Sequence, residues 1–138
     1  MNNLRIVLDA NVFNVSLSSN FQYHKNFEFL INGKYDLYIT NEILTEYEEQ
    51  IVKRYGLANT TAKLDFLLLL PNVFTTIPYF KWNLINSDPD DNKYSDCAII
   101  SNADFLVTND KHFNILKTIN FPKLNVINAI EFLKKLHQ

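Results

Sequence analysis

Three features of this chain predict an α/β fold. Short, continuously apolar and β-branched runs recur along it, segments of helical periodicity separate them, and acidic residues stand where several of the runs end. The expected architecture is a three-layer α/β/α sandwich around a central parallel sheet of about five strands, with binding groups gathered beyond the carboxyl ends of those strands.

Leu4 to Leu8 (LRIVL) is the first strand and runs directly into Asp9. Residues 12 to 18 and 22 to 33 follow as helices; Phe27, Leu30 and Ile31 recur at helical spacing, and Gly33 supplies the left-handed terminator. Leu37 to Thr40 (LYIT) is the second strand. Thr40 or Asn41 caps the next helix, in which Ile43, Leu44, Tyr47 and Ile51 form the apolar stripe and Tyr55-Gly56 marks the end. Thr60 to Leu70 is another helix, stopped by Pro71, and Asn72 to Ile77 is the third strand. The polar stretch from Asn83 to Asn92 is a loop over the sheet end. A helix then starts at Asp91, capped by Asp90 or Asp91, and runs through Asn102. Phe105 to Thr108 is the fourth strand, Asp110 to Ile119 a helical stretch, Leu124 to Ile127 the fifth strand and Ala129 to His137 the terminal helix.

With 138 residues, 47% hydrophobic and 20% charged, the chain suits one compact domain spanning residues 1–138. No apolar run approaches the ~20 residues needed to span a bilayer, and no basic segment precedes a signal-like stretch, so a cytoplasmic protein without membrane contact is expected. The single cysteine, Cys97, excludes an internal disulfide and a thiolate zinc cage, and its apolar surroundings fit an inert core position. A net charge of −2 argues against a broad basic surface for nucleic acid, so any polyanion must meet a local patch.

Four acids therefore carry the interest: Asp9 in IVLDAN, Glu46 in TNEILTEYEE, Asp91 in DPDDNKYSDCA and Asp110 in FLVTNDKHF. If the strands they follow are parallel neighbours, these carboxylates converge, and a divalent cation would hold the repelling charges together. Each also has a plainer reading. Asp9, Asp110 and Asp91 stand where helix caps stand, Asn11 suits either a cap or a ligand-side role, and Glu46 flanks the apolar stripe of its helix where a surface glutamate is the default. Asp91 belongs to a cluster with Asp88, Asp90 and Asp96, and spacing alone does not say which points inward. Asp96 lies about 140° round the helix from Asp91, which separates the two from one ligand shell.

The D-x-N after the first strand, the TEYEE helix, the D-x-D-D-N-K-Y-x-x-C-A block from Asp88 to Ala98 and the A-D-x-L-V-T-N-D-K-H-F block from Ala103 to Phe113 together resemble the PIN-domain ribonucleases, in particular the VapC-like toxins of bacterial toxin–antitoxin systems. The resemblance covers almost the whole chain. It implies one or two Mg2+ or Mn2+ ions chelated by Asp9, Glu46, Asp91 and Asp110, with Glu46 either binding metal or orienting water. It also implies a supporting hydroxyl at Thr108 and keeps Asp96 as a reserve ligand. The implied activity is metal-dependent hydrolysis of RNA by an endoribonuclease, a toxin with a small antitoxin partner and often a homodimer. Lys93, Lys111 and His112 are either contacts to RNA phosphates or solvated helix ends, and Tyr79 and Trp82 either stack on bases or pack against the sheet. The rival readings are a PIN-like binding module without catalysis and a receiver-type signalling domain; the latter lacks a phosphoacceptor Asp after the third strand, which runs into Thr76-Ile77-Pro78.

Overall fold

A computed structural model describes residues 3–18 and 24–137. Strands β1 (Leu4–Leu8), β2 (Tyr35–Ile39), β3 (Val73–Thr75), β4 (Phe105–Val107) and β5 (Val126–Ile127) form one parallel sheet in the order β3-β2-β1-β4-β5. Helices α1 (Ala10–Ser16), α2 (His24–Ile31), α3 (Asn41–Tyr55), α4 (Leu57–Leu69), α5 (Asn92–Ile100) and α6 (Ala129–Leu136) flank it, giving the expected α/β/α layers. A receiver domain orders its strands 2-1-3-4-5, so this sheet sets that rival aside.

The apolar half of β1 is explained by its central place, where Ile6, Val7 and Leu8 are wholly buried. From β1 the chain builds outward through β2 to β3, then returns to lay β4 on the other side of β1. That reversal makes a crevice at the carboxyl ends of β1 and β4, the position where open α/β sheets bind ligands. Leu8 pairs with Val107, so the residues that follow, Asp9 and Thr108, emerge side by side.

Buried polar contacts hold the elements in register. Tyr47 on α3 is fully buried, stacks on Phe13 at 4.3 Å and donates to the Leu8 carbonyl at 2.6 Å, tying α3 and α1 to the end of β1. The Asn72 amide donates to the carbonyls of Leu30 and Tyr35, 2.8 Å each, closing the connection between α2 and β2. Helix α5 packs on β1, β2 and β4 through Tyr94, Cys97 and Ala98. Burial pushes the Cys97 thiol up to about 12, as suits an inert core residue.

Several boundaries differ from the sequence expectation. Helix α1 begins at Ala10, because Asp9 itself is the cap, and α4 begins at Leu57 immediately after Gly56, whose φ of 81° lets the chain turn between two helices. Residues 22 and 23 of the expected second helix lie outside the described residues; the rest ends at Ile31, and Gly33 follows at φ 75°. Strands β3 and β5 are shorter than expected, because an edge strand has a pairing partner on one side alone. The Asp110–Ile119 stretch is 3-10 rather than α, spanning Lys111–Thr118, and a tight 3-10 turn, Pro89–Asp91, precedes α5. No helix among the described residues is long and apolar enough to cross a membrane.

Candidate metal centre

Asp9 is 6% exposed, an unusual position for a carboxylate. Its Oδ1 accepts the Asn11 N–H at 3.2 Å, so it does cap α1, and its Oδ2 accepts the Thr108 hydroxyl at 2.7 Å. The same hydroxyl accepts the Asp110 N–H at 3.0 Å, which fixes the chain just beyond β4. Burial raises the Asp9 pKa; the bonds from Thr108 and Asn11 oppose that, while Glu46 and Asp110 add to it. Cap and cluster member are thus one role here, not alternatives. Asn11 contributes through its main chain, and its side chain is exposed.

Glu46 reaches the same crevice from α3. Its Oε1 accepts a hydrogen bond from the Tyr94 hydroxyl, which in turn accepts the Ala10 N–H at 3.2 Å beside Asp9. Its Oε2 pairs with Lys93 at 3.1 Å, and Lys93 also meets Asp90 at 3.2 Å. Burial disfavours the Lys93 ammonium, but the two carboxylates outweigh this and its pKa is raised. The Lys93 side chain is 10% exposed and pairs with both carboxylates, which offsets the Glu46 charge. Tyr94 is buried and its pKa is strongly raised, first by burial and then by the neighbouring Tyr47 and Glu46, so it stays a donor.

Asp91 ends the 3-10 turn at the entrance to α5 without making a side-chain cap. Its Oδ2 is buried and has no hydrogen-bond partner among the described residues. Burial, then Asp88, Asp110 and Asp9, push its pKa up to about 7 against the opposing influence of His112. Asp110 caps the following 3-10 helix, its Oδ1 accepting the His112 N–H at 2.9 Å. Asp9, Glu46, Asp91 and Asp110 are therefore linked electrostatically at one end of the sheet. Asp96 is not in this group: it is buried round the helix, accepts the Trp82 N–H at 3.2 Å, and has Glu42 and Lys81 as its charged neighbours. Asp88, which the spacing left among undecided neighbours, does approach Asp91.

A divalent cation fits these residues. The donors are hard carboxylate oxygens, burial and neighbouring acids raise the pKa of Asp9 and Asp91, and one buried oxygen has no partner among the described residues. Two polar clefts lie nearby, one reaching Lys93 and the other Thr108 and Asp110. One of about 190 Å3 is bordered by Thr40, Glu42, Lys81, Asp90, Lys93 and Asp96, and another of about 250 Å3 by Thr108, Asp110, Lys111, Asn114, Lys117 and Asn128. Of the loop aromatics, Tyr79 is 87% exposed, and Trp82 packs edge-on against Phe80 and Phe121 rather than against the sheet. Sequence reasoning missed Tyr94 and the Lys93–Glu46 pair; the signal available was that Tyr94 shares the inward face with Asp91.

The fold has solved counterparts. VapBC2 from Rickettsia felis, crystallised with a DNA fragment from its promoter, is similar with a TM-score of 0.61 and 22% identity over 91% of this chain and 98% of that one. DNA-bound VapBC from Salmonella typhimurium is similar with a TM-score of 0.62 and 17% identity over the same shares, 91% and 98%. At such identities the likeness is one of fold. No curated protein matches the chain by sequence. The family description PIN domain matches residues 5–112, from β1 through the acid after β4, and so takes in all four carboxylates. On that match, with a sheet and an acidic crevice arranged as described, the chain belongs to the PIN domain family.

Proposed function

We propose that this protein is a Mg2+- or Mn2+-dependent endoribonuclease that hydrolyses RNA phosphodiester bonds, acting in the cytoplasm as the toxin of a type II toxin–antitoxin pair. The observation that carries this reading is the convergence of Asp9, Glu46, Asp91 and Asp110 at the reversal between β1 and β4, with a buried Asp91 oxygen left unpartnered. Membership in the PIN domain family supports the nuclease activity, and the VapBC fold counterparts support the toxin assignment and a protein antitoxin.

In this reading Asp9, Asp91 and Asp110 hold the cation, and Glu46 binds it or orients the attacking water. A bound divalent ion supplies Lewis-acid stabilisation of phosphoryl charge and makes water a competent nucleophile near neutral pH. Thr108 keeps the Asp9 carboxylate turned inward and Tyr94 does the same for Glu46, so the acids are preorganised before substrate arrives. Lys93 offsets the Glu46 charge and lowers the repulsion an incoming phosphate meets. Two nearby clefts, one lined by Lys111 and Lys117 and the other by Lys81, would receive the phosphates of a bound strand.

The test is cleavage of single-stranded RNA with Mg2+, Mn2+ or EDTA by the wild type and Asp9→Asn. Metal-dependent cleavage lost in Asp9→Asn is expected; equal cleavage by both proteins discards the site. Co-purification with a small DNA-binding protein encoded beside it, with inhibition of cleavage, tests the toxin assignment, and sedimentation of the isolated chain tests for a homodimer.

A further inference from the structure

We propose that the aromatic loop after β3 and Asp96 of α5 form a base-binding subsite that selects guanine in the single-stranded RNA cut at the acidic crevice. This rests on the nuclease reading above and names the base that reading leaves open.

A cleft of about 200 Å3 lies apart from the four acids, lined by Tyr79, Phe80 and Trp82 of the loop, by Ile99 and Ile100 of α5, and by Asp96. Asp96 is the one charged group in its lining. Tyr79 is 87% exposed and Phe80 60%, and the rings of Phe80 and Trp82 stand edge-on with centroids 4.7 Å apart. Flat rings open to solvent are the surface on which the unstacked bases of a single strand lie. The cleft also joins the centre: Pro78 and Asp96 border both it and the polar cleft that reaches Lys81 and Lys93, and Lys93 pairs with Glu46. A strand running from the acids past Lys81 therefore meets the rings.

Asp96 supplies the selectivity. It is 8% exposed, and among the described residues it receives one hydrogen bond, from the Trp82 N–H to Oδ1 at 3.2 Å. A carboxylate so enclosed has capacity for further N–H donors and no donor of its own. Guanine presents adjacent N1–H and N2–H donors on its Watson–Crick edge, which match it. Adenine and cytosine set a ring-nitrogen lone pair beside a single amino group, and uracil holds its one N–H between two carbonyls, so each of these edges also repels the carboxylate. The contrary assignment is that Asp96 does no more than anchor the loop through Trp82, with the rings turned to a protein partner.

Fluorescence anisotropy on the full chain, with Ca2+ as the divalent ion, separates the two. The probes are a short labelled oligouridine and the same strand with one central guanosine. The wild type is expected to bind the guanosine strand about tenfold tighter, and inosine in its place, which lacks the N2 amino group, should lose most of that margin. Asp96→Asn keeps an acceptor for the Trp82 N–H and should bring the ratio of the two affinities close to one. Damage to the fold alone would lower both affinities and leave the ratio unchanged. Tyr79→Ala, at an exposed side chain, should weaken binding of the guanosine strand about tenfold. Equal wild-type affinity for the two strands, no binding of either, or a ratio that survives in Asp96→Asn overturns the subsite, while metal-dependent cleavage would still stand on its own assay. Guanine-selective binding without cleavage in Mg2+ or Mn2+ keeps the subsite and overturns the nuclease reading.

Discussion

Thr108→Val isolates the hydroxyl on which the centre is built. Valine keeps the β-branched shape in a nearly closed position, 4% exposed, so packing is preserved and the oxygen alone is lost. Two contacts go with it: the donation to Asp9 Oδ2 at 2.7 Å and the acceptance of the Asp110 N–H at 3.0 Å. A hydrogen bond to a charged group contributes roughly 1.5–3 kcal/mol and a stranded amide costs about 1 kcal/mol, so a loss of about 2–4 kcal/mol is expected. Urea unfolding should show it as a lower midpoint at unchanged slope. The loss should also depend on pH. Thr108 holds the Asp9 pKa down against burial, so the variant's folded state takes up a proton over a range where the wild type's does not. Stability of the variant relative to wild type therefore falls as pH rises, and the deficit is larger near about pH 8 than near about pH 4. Thr108→Ser should recover most of it. A deficit under about 0.5 kcal/mol that is flat with pH would show that the hydroxyl does not hold the carboxylate, and the preorganised centre would go with it.

Other outcomes follow from the same geometry. Saturating Mn2+, at about a hundred times its Kd, should stabilise the wild type by about 2.7 kcal/mol, several degrees in Tm for a chain of this size. Asp91→Asn or Asp110→Asn should abolish most of that shift and Asp96→Asn should leave it intact; scanning calorimetry with and without EDTA reads all three. Asp9 and Asp91 both have folded-state pKa values above the unfolded carboxylate, so their contribution is fully present below that ordinary range and is lost as pH rises, for Asp91 through about 7. The metal-free protein should accordingly lose stability from about pH 4 to about pH 7, and Asp91→Asn should flatten the curve; a profile identical in the two proteins contradicts the crowding of charge. Tyr94→Phe removes the donor to Glu46 and the acceptor for the Ala10 N–H, with an expected cost of about 1–3 kcal/mol. It should also slow RNA cleavage, and an unchanged rate would mean that Glu46 needs no positioning.

The layers and the parallel sheet were legible because burial on both faces writes itself into β1, β2 and β4 as apolar runs, at residues 6–8, 37–39 and 106–107, and an Asp directly after such a run stands out even though a helix cap also places one there. The edge strands were blurred for the converse reason: Phe74 and Thr75 are exposed, so little in their pattern distinguishes strand from loop. The 3-10 character of Lys111–Thr118 was hidden because Phe113 and Leu116, its buried residues, are three apart, a spacing that α and 3-10 helices share. Glu46 lies outside the apolar stripe of α3, and what draws it inward is Tyr94, 48 residues away in the chain. Periodicity within one helix carries no trace of such a partner. The same holds for Lys93, which looked like a solvated helix end until Glu46 closed over it.

The way the four acids are compensated bears on how the protein would fold without a bound ion. Asp9 has Thr108 and the Asn11 amide, Glu46 has Tyr94 and Lys93, and Asp110 has the His112 amide. Each of these partners is supplied by the chain itself, so three of the charges are tolerable in the folded state with no metal present. Asp91 is the exception, since its buried Oδ2 meets other carboxylates and an imidazole too distant for a hydrogen bond. Were all four compensated, an incoming cation would displace as much as it gained; were none, the crevice would not close without it. A single unsatisfied oxygen would leave the metal-free fold tolerable and concentrate the gain from binding a cation at Asp91. That is the acid where substitution should separate metal affinity most cleanly from fold stability.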